Sequence, residues 1–216
     1  MRKKELTVQK GLEIVDLGVH TLKGIHLSFQ PGQCAGLTGP SGSGKSLLLR
    51  ALADLDPHEG KIWLEGVEID DIPAPRWRRQ VTLLPAESAW WHDTVGPHFD
   101  DVPDAWLNAL GFDCQVMQWE ISRLSSGERQ RLALLRLLVK QPKVLLLDEP
   151  TANLDRTNTQ RVEKLLSDYR KSGEMIVIWV SHDMEQLRRN CDPVYVIDAS
   201  RIHCMEDYAS AGGGNP

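Results

Sequence analysis

Gly39-Pro40-Ser41-Gly42-Ser43-Gly44-Lys45-Ser46 is the stretch that decides the fold. It satisfies the spacing G-x-x-x-x-G-K-[ST], in which glycines permit positive φ and let successive backbone N–H groups close on phosphate oxygens at a helix start. Lys45 is positioned in such a loop to reach the β- and γ-phosphates of a nucleotide, and the Ser46 hydroxyl to ligate Mg²⁺. The flanks are what the loop requires. Cys34-Ala35-Gly36-Leu37-Thr38 reads as a buried strand, and Leu47-Leu48-Leu49-Arg50-Ala51-Leu52-Ala53 as a helix packed on a sheet. A Gly-rich turn can match this spacing by chance; strand before and helix after make it a phosphate site.

Moving outward, residues 6–8, 12–17 and 25–29 are β-rich, and Gln30-Pro31-Gly32-Gln33 turns the chain into the buried strand. Residues 62–64 and 81–84 are further strand candidates, separated by the turn-rich 66–75. From Pro85 to about Ser122 the character changes. Trp90, Trp91, Trp106 and Trp119 appear among prolines and acids, which marks a subdomain. Residues 127–139 read as a helix with Leu132, Leu135, Leu138 and Val139 on one face, Arg129, Arg136 and Lys140 elsewhere, and Pro142 as its stop. Val144-Leu145-Leu146-Leu147 and residues 175–180 are continuous apolar runs, the pattern of strands covered on both faces of a parallel sheet. Helix and strand alternate here as in α/β folds. Residues 209–216 are small and Gly-rich and are expected to fray.

Asp148 and Glu149 follow the first of those apolar runs, at the strand end where ligands bind in parallel sheets. Because successive strand side chains point opposite ways, the two are expected to do different work. Asp148 is assigned to Mg²⁺, and Glu149 to polarising the water that attacks the γ-phosphate. Two acids after a strand also serve as a helix N-cap; a complete phosphate loop upstream favours the catalytic assignment.

Composition bounds the alternatives. At about 150 residues per domain, a chain of 216 residues makes one domain with an inserted or appended subdomain. A net charge of −5 supplies no global field for a phosphate backbone, so no nucleic-acid partner is expected. No apolar run approaches the roughly 20 residues that span a bilayer, and the N-terminus leads into no apolar signal core. The four cysteines (Cys34, Cys114, Cys191, Cys204) lie far apart in sequence without a C-x-x-C pair and read as reduced structural thiols.

Leu124-Ser125-Ser126-Gly127-Glu128, followed by Arg129-Gln130-Arg131, resembles the L-S-G-G-Q signature of ABC-type ATPases. Asn153-Leu154-Asp155 resembles that family's D-loop, and His182 in Ser181-His182-Asp183 its switch histidine. The resemblance runs from about Leu12 to Asp198. It implies an α/β P-loop NTPase with a mostly parallel central sheet, an N-terminal antiparallel β subdomain and a short helical signature subdomain. A single domain over 1–216 is expected, with its core at 1–84 and 130–208 and the helical part at about 85–129. The resemblance further implies ATP and Mg²⁺ as cofactors and a second subunit paired head to tail around two nucleotides, so that Ser125, Ser126, Gly127, Glu128 and Asp155 act on the partner's ATP. A separate integral-membrane permease is implied as well, placing the chain in the cytoplasm, peripheral on the inner face of the cell membrane. Physically, Ser125 and Gly127 offer a hydroxyl and a bare N–H at a helix start, although a serine-rich helix cap fits the same residues. His182 follows a strand that ends at the same side as Glu149, and its imidazole can donate to a γ-phosphate oxygen or hold the attacking water.

Three departures from the family pattern stand out. Where the family carries a metal-binding glutamine, this chain has Pro85-Ala86-Glu87, with Ala86 at the equivalent position and Glu87 as a substitute. The aromatic that stacks on adenine is missing between Gly11 and Thr21, leaving His20 as a stand-in; a ring there is worth about 1–3 kcal/mol by analogy with base stacking. The interval from Ala86 to Ser125 is short, with Trp90 and Trp91 where relatives meet a permease. The stretch Val177-Ile178-Trp179-Val180-Ser181-His182-Asp183 is similar to bacterial iron-export ATPases. The competing functions are a non-transport ABC ATPase of repair, assembly or translation, whose relatives carry coiled coils, tandem halves or metal cysteines, and a regulatory nucleotide-binding module.

Overall fold

The computed structural model describes residues 11–198 and 201–206. The strand expected over 6–8 and the tail expected over 209–216 lie outside the described residues.

The first strand, β1 (Leu12–Val19), buries Leu12, Ile14, Leu17 and Val19 although their spacing changes parity. Its register against β2 (Leu22–Phe29) shifts between Ile14 and Leu17, where Asp16 turns through φ 53°. The bulge returns the alternation to the inner face. After β3 (Cys34–Thr38) and α1 (Lys45–Leu52), β4 (Glu59–Leu64) and the two-residue β5 (Val67–Glu68) complete an antiparallel sheet of order β2-β1-β4-β5. The region read as turns over 66–75 does hold turns, but α2 (Ala74–Gln80) begins within it. Pro75 sits in the first turn of α2, where a missing N–H is harmless. Trp77 is fully buried and donates its Nε1–H to Leu52 O at 2.9 Å.

The second sheet has the order β10-β9-β3-β8-β7-β6, formed with β6 (Val81–Leu84), β7 (Val144–Asp148), β8 (Ile176–Val180), β9 (Val194–Asp198) and β10 (Arg201–Cys204). Its pairs are parallel except β9 with β10. Every residue of β7 and β8 is buried, as expected of strands covered on both faces. Their side chains alternate between two cores. Leu146, Ile176, Ile178 and Val180 pack with the antiparallel sheet, α1 and α2. Leu145, Leu147, Val177 and Trp179 pack with α3 (Asp104–Ala109), α4 (Ser126–Leu138), α5 (Arg156–Ser172) and α6 (Met184–Asn190).

The helix read over 127–139 is α4, and Arg136, placed off its leucine face, is buried, as is Arg131. Arg136 donates to Ala89 O at 3.0 Å and lies 4.6 Å over the rings of both Trp90 and Trp91. Arg131 bonds Leu110 O and covers Phe112 at 4.5 Å. These two arginines can be buried because carbonyls and ring faces of the 85–125 segment meet their guanidinium groups.

Candidate nucleotide site

Parallel strands bring their carboxyl ends to one edge. Leu37 pairs with Val180, and Val180 with Asp148, so the segments following β3, β7 and β8 leave the sheet side by side. The loop after β3 carries Gly39 at φ 144°, Gly42 at 78° and Gly44 at 99°. A Cβ on Gly39 would stand 2.5 Å from Ile197 O, so backbone angle and space both demand glycine there. Gly44 precedes α1 with no side-chain cap, leaving the helix start to an outside acceptor. Ser43 Oγ is buried without a hydrogen-bond partner, and Ser46 is exposed. Pro40 and Ser41 are exposed on the loop's outer turn.

Lys45 is buried and its Nζ donates to Gly39 O and Pro40 O, both at 2.8 Å. Burial pulls its pKa down, opposed by the charges of Glu149 and Asp148. The cation of the loop and both acids therefore share one electrostatic environment.

Asp148 and Glu149 differ in backbone setting, and strand alternation is not the cause. Asp148 is the last residue of β7, whereas Glu149 lies beyond the strand in the left-handed region at φ 49°, its N–H donating to Val180 O at 3.1 Å. A non-glycine residue held there stores backbone strain. Burial pushes the Glu149 carboxyl above its ordinary pKa; His182 and Lys45 oppose the rise and Asp148 adds to it. Glu149 Oε1 is buried without a hydrogen bond and stands 3.4 Å from Nε2 of His182, whose own side chain is 59% exposed. An under-satisfied carboxylate beside an exposed imidazole is suited to holding a water. Among the described residues no group of three or more His, Cys, Asp or Glu could hold a metal. Ser46 and Asp148 would suit Mg²⁺, which needs few protein ligands when phosphates and water complete its shell.

The signature segment is a capping box. Ser125 Oγ accepts from Glu128 N at 3.2 Å, while Glu128 Oε2 accepts from Ser125 N at 2.8 Å and Ser125 Oγ at 2.7 Å. These bonds from Ser125 hold the Glu128 carboxyl below its ordinary pKa against the opposing effect of burial. Ser125 and Ser126 are nevertheless exposed. Gly127 packs so closely that a Cβ would meet Asn153 O and Leu154 Cδ2 at 3.0 Å. Asp155 caps α5, its Oδ1 accepting from Asn158 N at 2.8 Å, which lowers its pKa. The cap readings and the binding readings of Ser125 and Asp155 are thus compatible, since capping is what fixes these side chains.

Ala86 and Glu87 are both exposed just past β6. The loop they occupy is tied to α4, where Gln130 Nε2 donates to Pro85 O at 3.0 Å. His20 is exposed at φ 53° in the β1–β2 turn. The same hairpin reaches the phosphate loop, for a Cβ on Gly44 would meet Leu22 Cδ1 at 3.1 Å. His20 lines a cleft of about 330 Å³ with His58 and Lys23. Sequence reasoning gave His98 no role; it is the hub of the tryptophan loop. Its Nε2 accepts from Trp91 N and His92 N at 3.1 Å, which assigns the proton to Nδ1, facing Thr94 O at 3.0 Å.

Comparison with known proteins agrees with this geometry. Residues 22–152 match the family described as ABC transporter. The chain is 36% identical over 198 residues to Protein STAR1 of Oryza sativa subsp. japonica, covering 86% of this chain but only 57% of that protein. It is 32% identical to "Probable iron export ATP-binding protein FetA" of Escherichia coli (strain K12), covering 77% of this chain and 80% of that one. The solved structure of cbiO1 from Clostridium perfringens, described as part of the ABC transporter complex cbiONQ, superposes with a TM-score of 0.76 at 25% identity, over 94% of this chain and 91% of that one. The chain therefore belongs to the ABC transporter family of ATP-binding proteins.

Proposed function

We propose that this chain is the ATP-hydrolysing motor subunit of an ABC transporter, pairing head to tail with a second copy around two Mg-ATP and driving a separate membrane permease. What carries the reading is the convergence of Lys45, Asp148, Glu149 and His182 at the carboxyl edge of the parallel sheet. In this reading Gly39 to Ser46 cradle the phosphates, and Lys45 exchanges the Gly39 and Pro40 carbonyls for phosphate oxygens. Ser46 and Asp148 hold Mg²⁺, which when bound neutralises phosphate charge. Glu149 accepts the proton of the attacking water, and His182 holds that water and the γ-phosphate in place. Glu87 stands in for the glutamine that Ala86 replaces, and His20 borders the base.

Ser125, Ser126 and Gly127 serve the nucleotide of the partner subunit, with Glu128 fixing Ser125 and Asp155 fixing the start of α5 at the shared face. Ser126→Glu tests this arrangement. Ser126 is exposed at the first position of α4, where an acid favours the helix, so the fold is expected to hold while the new charge repels the γ-phosphate. The variant alone will lose most of its turnover. Mixed with Lys45→Ala, it will recover part of it, because each mixed dimer keeps one intact composite site. Absence of recovery in dimers shown to be mixed would refute sharing across the interface.

The helical part, about 85–129, is the docking region within a single domain. Trp91, 63% exposed and braced by Arg136, is its aromatic anchor. Among the described residues no helix is long and apolar enough to cross a membrane, so a permease partner would hold the chain at the inner membrane face. Purification of the tagged chain from gently solubilised native membranes will bring down a polytopic membrane protein. Recovery alone, or with ribosomes or repair factors, would replace this reading by the non-transport one.

A further inference from the structure

The foot of the central sheet, opposite the nucleotide edge, holds two thiols that ATP hydrolysis does not use. Cys34 opens β3 and Cys191 follows α6, far apart in sequence, yet their Sγ atoms stand 3.3 Å apart. All four cysteines are free, as read from the sequence, and two of them, far apart in the chain, are neighbours in space. The backbone fixes the pair. Asp192 N donates to Cys34 O, and Cys191 N to Leu187 O, both at 2.8 Å. The two residues are only 5% and 7% exposed, but both line an open cleft of about 470 Å³. Four cations, Arg170, Lys171, Arg188 and Arg189, line the same cleft with one carboxylate, Asp192. Arg189 is already paired with Glu163 at 2.6 Å.

The two sulfurs are not equivalent. Hydrogen bonding with Cys191 lowers the pKa of Cys34 against the effect of burial, and Arg170 lowers it further. The same bond, with burial, pushes the Cys191 thiol up. The Arg170 charge near Cys34 favours a thiolate there, and a second sulfur 3.3 Å away is in place to resolve a mixed disulfide.

We propose that Cys34 and Cys191 form a redox-active dithiol that closes to an intramolecular disulfide, with an acidic low-molecular-weight disulfide as oxidant. The Cys34 thiolate attacks one sulfur of the small disulfide, forming a mixed disulfide and releasing one thiolate. Cys191 then gives up its proton and attacks the Cys34 sulfur, expelling the second thiolate. Two protein thiols are oxidised, one small disulfide is reduced, and the two protons end on the released thiols. The cationic cleft selects an acidic reagent, and the product ties the start of β3 to the end of α6.

The test uses the folded, full-length chain and two probes, glutathione disulfide, which is acidic, and cystamine, which is cationic. Intact-mass measurement is expected to show a loss of about 2 Da, as the two thiols release two hydrogens, and peptide mapping a Cys34–Cys191 cross-link. Glutathione disulfide should act at least about 10-fold faster than cystamine at low salt, with the gap narrowing at high salt. Cys191→Ser should trap a glutathione adduct at Cys34. Adducts confined to the exposed Cys114, or a cross-link that forms only in denaturant, would overturn the proposal. Equal rates with both probes would overturn the preference for an acidic partner. The wild-type measurement stands even where a serine variant folds poorly, and none of these outcomes depends on ATP hydrolysis.

Discussion

Glu149→Gln will cut ATP turnover by about 10²–10⁴-fold, the range that removal of a general base spans, while leaving Mg-ATP binding intact. The variant should accumulate as an ATP-bound dimer, visible as a doubled mass in light scattering, because in the proposed cycle hydrolysis is the step that separates the subunits. Retained turnover, or a monomer at saturating ATP, would remove Glu149 from the role assigned to it. The environment of this carboxyl adds a pH signature. Burial raises its pKa in the folded protein, so the acid limb of the wild-type kcat profile will lie above the ordinary glutamate value of about 4.3. The sign for stability follows from linkage. A carboxylate whose folded pKa exceeds its unfolded one costs stability above that folded value, and the cost disappears as pH falls through both. Glu149→Gln should therefore raise Tm at pH 7, with the gain shrinking toward pH 4. A variant equally stabilised at both pH values would show that the charge is not the cause.

Lys45→Ala is expected to weaken ATP binding by about 10²-fold or more, since charge-assisted hydrogen bonds contribute about 1.5–3 kcal/mol each and Nζ can make more than one. The present partners of Nζ, Gly39 O and Pro40 O, show how deeply the ammonium sits within the loop. Isothermal titration reads the affinity directly. Thermal shift gives a second readout: ATP at about 100 times the wild-type Kd should stabilise the parent by about 2.7 kcal/mol, and the variant hardly at all. ATP-dependent dimerisation should vanish with binding. A variant that still binds and hydrolyses would contradict the phosphate contacts of the whole loop.

The nucleotide edge was largely legible beforehand because each of its parts is local. Gly39 to Ser46, Asp148 with Glu149, and Ser125 to Glu128 are contiguous, and each carries its own backbone requirement: positive φ, a strand end, a capped helix start. The continuous apolar runs of β7 and β8 announced strands covered on both faces for a similar reason. Less legible was α2, whose turn-like opening hid the helix that buries Trp77. The settings of His98 and Arg136 were not legible, since nothing in their immediate sequence reveals the carbonyls and rings that meet them.

Sequence alone determined the order of strand, loop and helix and the family, because glycine, lysine and acid in short motifs constrain the chain over a few residues. Tertiary structure decided what depends on strands distant in sequence lying side by side. Pairing of β3 with β8 and β8 with β7 puts His182 3.4 Å from Glu149. Pairing of β3 with β9 brings the foot of β3 against the end of α6, and with it Cys34 to within 3.3 Å of Cys191. Spacing along the chain fixes local backbone geometry; only the sheet's strand order sets which remote side chains share a dielectric, a proton or a bond.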